Sequence, residues 1–467
     1  MPMPPPNITG ILHIGHATFL SIQDALTRYY RKSGYDTLWL PGTDHAGLAT
    51  HDKIIQSFKK YTPSKEDYLK RGDELKDKHH SAITNQIKRT GASCDWSREQ
   101  YTLNDNFKHA AFKALQEINH KGLLYRKDNQ WYINMKDMAK DLLNHIDSDG
   151  LIINDTGELN SLIHMLENIE DWCISRQIPW GYQMPLFFDK NGNHCIANSI
   201  EDAQKILNKS DIHQEESTFD TWFTSSLWPF ASLGWPENAE DYNRYYPAQI
   251  IETGADILFF WCARMLMMGK LLTGQYPFKE IYLHGICRDK DGQKLSKSLG
   301  NGIDPIDIID KYGTDALRFG LLSKSNNKDM KIDETEFFDA SKFINKIWQS
   351  CRFMDTQIKK FNIPTTMNEN GSFKDEIERI SSLFKIGMEN RDFLNTIRAI
   401  QHSFKHQFCD IWIEDNKKAF WNGDEDIIQH GLYILYSYIN ILHCFIPFIT
   451  EYIGRHFWNI DIINSKY

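Results

Sequence analysis

PPPNITGILHIGHA, residues 4–17, sets a proline run and a turn directly before two histidines, His13 and His16, three apart around Gly15. From Ala17 onward Phe19, Leu20, Ile22, Ala25, Leu26, Tyr29 and Tyr30 recur at helical spacing as far as Lys32, and Gly34 follows as a stop. The histidines therefore open a helix. A helix start presents free N–H groups and the positive end of the helix dipole, so the turn from Asn7 to Gly10 in front of it makes an anion site. His13 and His16 share one face, and Gly15 leaves room for a flat group to approach the backbone. Together they are suited to cradle a nucleotide. Taken alone, H-x-x-H serves a metal or nothing at all, and the glutamate that a zinc protease needs in H-E-x-x-H is missing.

Working outward, DTLWLPGTDHAG (residues 36–47) reads as a short apolar strand that breaks at Pro41-Gly42. AQIIETGADILFFWCARMLMMG (248–269) reads as a strand, a turn at Gly254 and a long apolar helix, and EIYLHGICRDKDGQKLSKSLGN (280–301) as a strand ending in a loop rich in glycine and lysine. Strands alternating with helices in this way predict an α/β fold with a parallel sheet. Between the two α/β stretches, residues 127–218 have weaker periodicity, with turn chemistry at 189–193, and read as an insertion that splits one sheet. From residue 339 onward the pattern is helical, with Trp348, Phe353, Phe404, Phe408 and Trp412 expected to pack a bundle of four or five helices. The expected divisions are 1–126, 127–218, 219–338 and 339–467.

The KLSKS stretch puts Lys294 and Lys297 on a loop flanked by Asp291-Gly292 and Gly300-Asn301. Lysines on polyphosphate stabilise the charge that develops in phosphoryl or nucleotidyl transfer, although a lone K-x-x-K is more often a solvated loop. An H-x-G-H on an early α/β unit followed by K-x-S-K-S after a late strand is far more specific than either part. Composition leaves the partner open. With 467 residues, 41% of them hydrophobic, the chain can bury two or three cores, and its net charge of -9 gives no overall attraction to nucleic acid. The eight cysteines include no C-x-x-C pair, as suits a reducing compartment, and neither a leader-like start nor an apolar run of membrane-spanning length is seen. A cytoplasmic protein without a membrane partner or a structural zinc is expected.

With both motifs in view, the sequence resembles the class I aminoacyl-tRNA synthetases, whose hallmarks are HIGH and KMSKS; Leu295 stands where Met is usual. Within that class it is most similar to the valyl enzymes, through LPGTDHAGLAT, GASCDWSRE, ENIEDWCISRQIPWG, DTWFTSSLWPFASLGWPE, GADILFFWCARMLMMG and YGTDALRF. The resemblance implies a split Rossmann-like nucleotide-binding domain followed by an α-helical anticodon-binding-like bundle. It also implies a reaction: valine activated with ATP and Mg2+, then joined to tRNA, expected to be tRNA-Val, by a monomer. Carried onto matching positions, it assigns His13, His16, Lys294 and Lys297 to catalysis. Gly10, Gly15, Gly254, Asp256 and Ser296 join these four in binding ATP, and Pro6, Asn7, Asp44, Trp222, Ile257 and Trp261 bind the amino acid. Without the resemblance, the two tryptophans and Ile257 read as core residues and Asp44 as a loop or capping residue. Trp172, Cys173 and Arg176 are read as structural or tRNA-facing.

Two departures from that family shape the expectation. GLLYRKDNQWYINM (122–135) runs directly from sequence resembling the entry to the family's editing domain into sequence resembling its exit, with the junction at residues 127–129. The chain is thus expected to lack editing and to accumulate Thr-tRNA, because an apolar pocket rejects an added hydroxyl poorly. The C-terminal coiled coil of the family is also not seen, and weaker tRNA affinity is expected. The competing readings are a paralogue that activates an amino acid for a non-translational pathway and a non-catalytic tRNA-binding module.

Overall fold

The computed structural model describes residues 1–59, 62–148, 150–295, 301–326 and 328–467. They divide into two compact units, the first comprising Met1–Ile11, Leu38–Thr84 and Asp95–Leu283, the second Leu12–Thr37, Asn85–Cys94 and His284–Tyr467. The architecture is the expected Rossmann-like α/β fold with a short insertion, followed by a helical bundle.

In the first unit the N-terminal segment runs parallel to residues 40–44, with bridges from Pro2 to Leu40 and from Asn7 to Asp44. Gly42–Thr43 pairs in parallel with Gln100–Tyr101. The strand therefore continues through Pro41-Gly42, where the sequence suggests a break. The reason is steric: a Cβ at Gly42 would lie 2.3 Å from the Gln100 carbonyl oxygen and 2.4 Å from the Trp228 ring, so glycine alone allows this approach. A second set orders Ala248–Gly254, Phe278–His284 and Ile152–Ile153, with Glu280 opposite Ile152 in parallel register. The helix Asp105–His120, capped by Asn104, buries Phe107, Ala110, Ala111 and Leu115 in a core shared with Trp228, Ile251 and Met265.

Much of the connecting region is antiparallel. Leu124–Lys127 and Gln130–Ile133 form a hairpin with Lys127 opposite Gln130. Its two turn residues, Asp128 (φ 51°) and Asn129 (φ 59°), are both left-handed, as a two-residue turn matching strand twist requires. Further on, Asp189 accepts N–H bonds from Asn191 and Asn193 and closes the turn between Leu186–Asp189 and His194–Ile196, as its turn chemistry suggests.

In the second unit the helix Ile14–Lys32 packs Ile14 and Ala17 against Cys287, Leu317, Leu321 and Met330. Farther along, it carries a fully buried ion cluster. Asp24 Oδ2 accepts from Arg28 Nε and from Arg318 Nη2, both at 2.6 Å, while Oδ1 accepts from the Ser93 N–H and hydroxyl. Arg28 Nη1 donates to His443 Nε2 at 3.1 Å, and His443 Nδ1 meets Thr450 Oγ1 at 2.9 Å. The bundle comprises Glu334–Phe361, Lys374–Glu389, Phe393–His402 running on to Trp412, Glu425–Leu442 and Pro447–Ile453. Phe343, Phe404, Phe408 and Tyr438 fill its interior. Trp348 does not. It is half-buried beside Tyr452 and Ile449 on an open groove of about 370 Å³, because its helix position faces the rim.

The cluster makes stability depend on pH. Burial, reinforced by Arg28, pushes the His443 imidazole down to about 2, so it stays neutral when folded and takes up a proton only in the unfolded chain. Burial raises the Asp24 carboxyl, but Arg28 and Arg318 outweigh it and hold it well below the usual carboxylate range. Both folded values are depressed. Each contribution is therefore present above the unfolded pKa, near 6.5 for histidine and about 4 for aspartate, and is lost as pH falls. The thermal midpoint is expected to drop between pH 7 and pH 5, and more steeply below pH 4. His443→Gln should make the upper slope shallower; an unchanged slope would contradict this account.

Candidate active site

His13 is the N-cap of the helix Ile14–Lys32, with extended backbone (φ -126°, ψ 176°). Its Nδ1 accepts the Gly15 N–H at 3.1 Å, and His16 Nδ1 accepts the His13 N–H at 3.2 Å, a reciprocal box made entirely of histidines. Because each Nδ1 is an acceptor, the proton of each neutral ring sits on Nε2. The rings lie 3.9 Å apart between centroids. The space beside Gly15 is used by His13 itself: a Cβ there would lie 3.0 Å from its ring.

The first two residues of the lysine stretch, Lys294 and Leu295, lie against the core that holds the start of the same helix. The Leu295 N–H bonds to the Cys287 carbonyl at 3.2 Å, the Leu295 side chain packs into the core containing Ile14 and Ala17, and Thr18 Oγ1 meets Cys287 Sγ at 3.2 Å. Lys294 is exposed and bridges Arg288, while Asp289 ties the loop by accepting from Gln293 N–H and Asn301 Nδ2. The second unit thus brings His13, Gly15, His16 and Lys294 onto one small scaffold. Ser296 and Lys297 lie outside the described residues.

The first unit gathers the other set. The Asp44 N–H bonds to the Pro6 carbonyl at 3.0 Å and the Ile8 N–H to the Asp44 carbonyl at 3.1 Å, which aligns Pro6, Asn7 and Asp44 on adjacent strands. Asp44 is 4% exposed. Its Oδ1 accepts from the Ala46 N–H (2.6 Å) and Thr221 Oγ1 (2.9 Å), and its Oδ2 from Ser225 Oγ (2.5 Å). Among the described residues, the base within ion-pair distance is His45, with Nδ1 3.9 Å from Oδ1. Burial pushes the His45 pKa down against the upward pull of Asp44 and Asp220, so the ring is neutral near pH 7.

Ser225 also links this carboxylate to the apolar side: its carbonyl accepts from Trp261 Nε1 at 3.2 Å. Ile257 lies one helical turn before Trp261, and Trp222 stacks on Phe260 with centroids 6.1 Å apart. Gly254 ends its strand and Asp256 is exposed in the helical turn that follows. Gly10 closes the turn before the histidines, with open space where a Cβ would be. Trp172 and Arg176 have structural partners, both on Asp220. Thr221 and Ser225 were not legible as site residues, since they stand inside an apolar block. The available signal was their i, i+4 spacing on a helix that follows a buried aspartate.

The match of the whole α/β stretch turns this geometry into a family assignment. The chain belongs to the class I tRNA synthetases: the family model described as tRNA synthetases class I (I, L, M and V) matches residues 1–129 and 126–333, and the anticodon-binding domain of tRNA ligase matches residues 374–465. Among the proteins it resembles are valine–tRNA ligases. That of Pseudothermotoga lettingae is 28% identical, covering 96% of this chain and 75% of its own. That of Borreliella burgdorferi is 29% identical over 98% and 75%, and the chloroplastic/mitochondrial enzyme 2 of Arabidopsis thaliana 29% over 97% and 69%. The fold is that of the LeuRS–tRNA–LeuAMS ternary complex of Agrobacterium radiobacter (TM-score 0.79, 15% identity, 100% of this chain and 86% of that one). It is also that of Mycobacterium tuberculosis methionyl-tRNA synthetase with methionyl-adenylate (0.78, 17%, 97% and 92%).

The alignment with the Pseudothermotoga enzyme runs over 647 positions against 467 residues here, so at least 180 positions of the relative have no counterpart. The two matched stretches of the family model meet at residues 126–129. That is the turn at Asp128 and Asn129 that closes the hairpin.

Proposed function

We propose that this chain activates valine with ATP and transfers it to tRNA. The observation that carries the reading is Asp44, a buried carboxylate held by three neutral donors and, among the described residues, facing only a neutral histidine as base. A buried anion in such a setting is costly until a cation joins it, and the ammonium of an amino acid is such a cation. Trp222, Ile257 and Trp261 offer apolar surface for an aliphatic side chain, Pro6 and Asn7 complete the pocket, and the valine–tRNA ligase relatives favour valine.

In this reaction a valine carboxylate oxygen attacks the α-phosphorus of ATP; the bond from that phosphorus to its bridging oxygen breaks and pyrophosphate leaves with the electron pair. Charge builds on the departing phosphates. His13 and His16, as Nε2–H donors at a helix start, and Lys294 and Lys297 stabilise it. The resemblance assigns Gly10, Gly15 and Ser296 to phosphate binding and Gly254 and Asp256 to the ribose. Magnesium carried in with ATP would offset the negative charge of its phosphates. A 3′-terminal ribose hydroxyl of tRNA then attacks the adenylate carbonyl, and AMP leaves.

In this reading residues 1–126 and 219–338 are the two halves of the catalytic domain, 127–218 a connective remnant and 339–467 the part that meets the tRNA anticodon arm, in a cytoplasmic monomer. The segment replaced by the hairpin turn is the editing domain, so the enzyme works without post-transfer editing. ATP–pyrophosphate exchange with each of the twenty amino acids tests activation. Exchange greatest with valine supports the reading; exchange with another amino acid alone, or none, overturns it.

A further inference from the structure

We infer that Thr221 and Ser225 are positioning residues for the amino-acid substrate: their hydroxyls fix the Asp44 carboxylate so that one acceptor site on Oδ2 is presented to a primary ammonium. The inference rests on the proposed activation of an amino acid and deepens it. A carboxylate has about four acceptor sites. Among the described contacts Oδ1 has two donors, Ala46 N–H and Thr221 Oγ1, while Oδ2 has one, Ser225 Oγ. The remaining site is therefore on Oδ2.

Both hydroxyls are well placed to hold the group rigidly. They stand at i and i+4 on the helix Thr221–Ser226, so they share a face. The Ser225 side chain is within reach of two acceptors, Asp44 Oδ2 at 2.5 Å and the Thr221 carbonyl at 2.8 Å. Its single proton goes to the charged one, since bonds to an ionised acceptor are the stronger. The Thr221 side chain also lies against the turn after Asp44: a Cβ at Gly47, where φ is +30°, would come within 3.1 Å of the Thr221 Cβ. On the far side of Ser225, the Trp261 indole bonds to its carbonyl. One serine thus ties the ammonium site to the aromatic wall, which gives the backbone of the substrate and its side chain a common reference.

The test uses the full chain and two probes, valine and 3-methylbutanoate, its analogue without the amino group. Amino-acid-dependent pyrophosphate exchange gives KM for valine and for ATP, and calorimetry gives the preference for valine over the analogue. Thr221→Val and Ser225→Ala are each expected to raise KM for valine roughly tenfold or more, with KM for ATP within about twofold of the parent. Both should narrow the preference for valine over the analogue, and Thr221→Ser should restore it. A merely structural loss would move both KM values and would not be rescued selectively by serine; that outcome, or an unchanged KM for valine, overturns the assignment. No exchange by the parent chain with any amino acid overturns the reading beneath it, and the assignment with it.

Discussion

Alanine at His16 is expected to lower ATP–pyrophosphate exchange by about 10²–10³-fold, the scale typical of removing one fixed donor from a site of developing charge. Two roles are joined in this side chain. Its Nδ1 caps the His13 N–H, and its Nε2–H is the donor assigned to phosphate. Loss of the cap alone costs about 1 kcal/mol of helix stability, too little to produce the kinetic effect through unfolding. His16→Gln separates the two, because a glutamine at the third helical position can reach back to the N-cap N–H. It is expected to keep the parental thermal midpoint while exchange stays at least tenfold down. Parental exchange in His16→Ala would remove the histidine box from the chemistry.

The second large effect concerns the scaffold. Asp24→Ala is expected to cost about 3–5 kcal/mol, the range for breaking a buried ion pair from one side. The cost arises because Arg28 and Arg318 would remain, and Arg318 is 0% exposed. Arg318 also donates to the carbonyls of Thr90, Cys444 and Phe445, so its charge has no route to water. Combining Asp24→Leu with Arg318→Met removes the more deeply buried of the two stranded guanidiniums and should recover part of the loss, with Arg28 keeping its bonds to the Gly91 carbonyl and His443. Equal destabilisation by the single and the double substitution would mean that packing, and not charge, holds this cluster.

Much of this was legible beforehand, where local chemistry decides the structure. The histidine pair announced a helix start because capping is set by a few adjacent residues, and the helix Ile14–Lys32 follows. The junction at residues 127–129 was legible as continuous sequence, and the two stretches matched by the family model meet there, at the Asp128–Asn129 turn of the hairpin. What sequence could not give depends on distant partners. The strand across Gly42 forms because Gln100 and Trp228 come within contact of an absent Cβ. Asp44 could be assigned by resemblance, but Thr221 and Ser225, about 180 residues away, became visible only when the fold set their hydroxyls on it. Trp348 matched the apolar pattern of a core residue and stands instead at the bundle's rim, because periodicity does not tell a helix face that is covered from one that borders a groove.

We propose that this chain is a reduced synthetase in which a two-residue turn stands where its relatives carry an editing domain. Charging of total tRNA by the purified protein, with labelled valine and threonine in parallel and Lys297→Ala as the control, tests it most directly. Valyl enzymes as a family reject threonine by only about 10²-fold without editing, a known magnitude and not one obtained from this chain. The account predicts Lys297-dependent valine charging, with threonine product accumulating at initial rates within that ratio. Absence of Lys297-dependent valine charging, or a Val/Thr ratio far above about 10² with no other protein present, would contradict it.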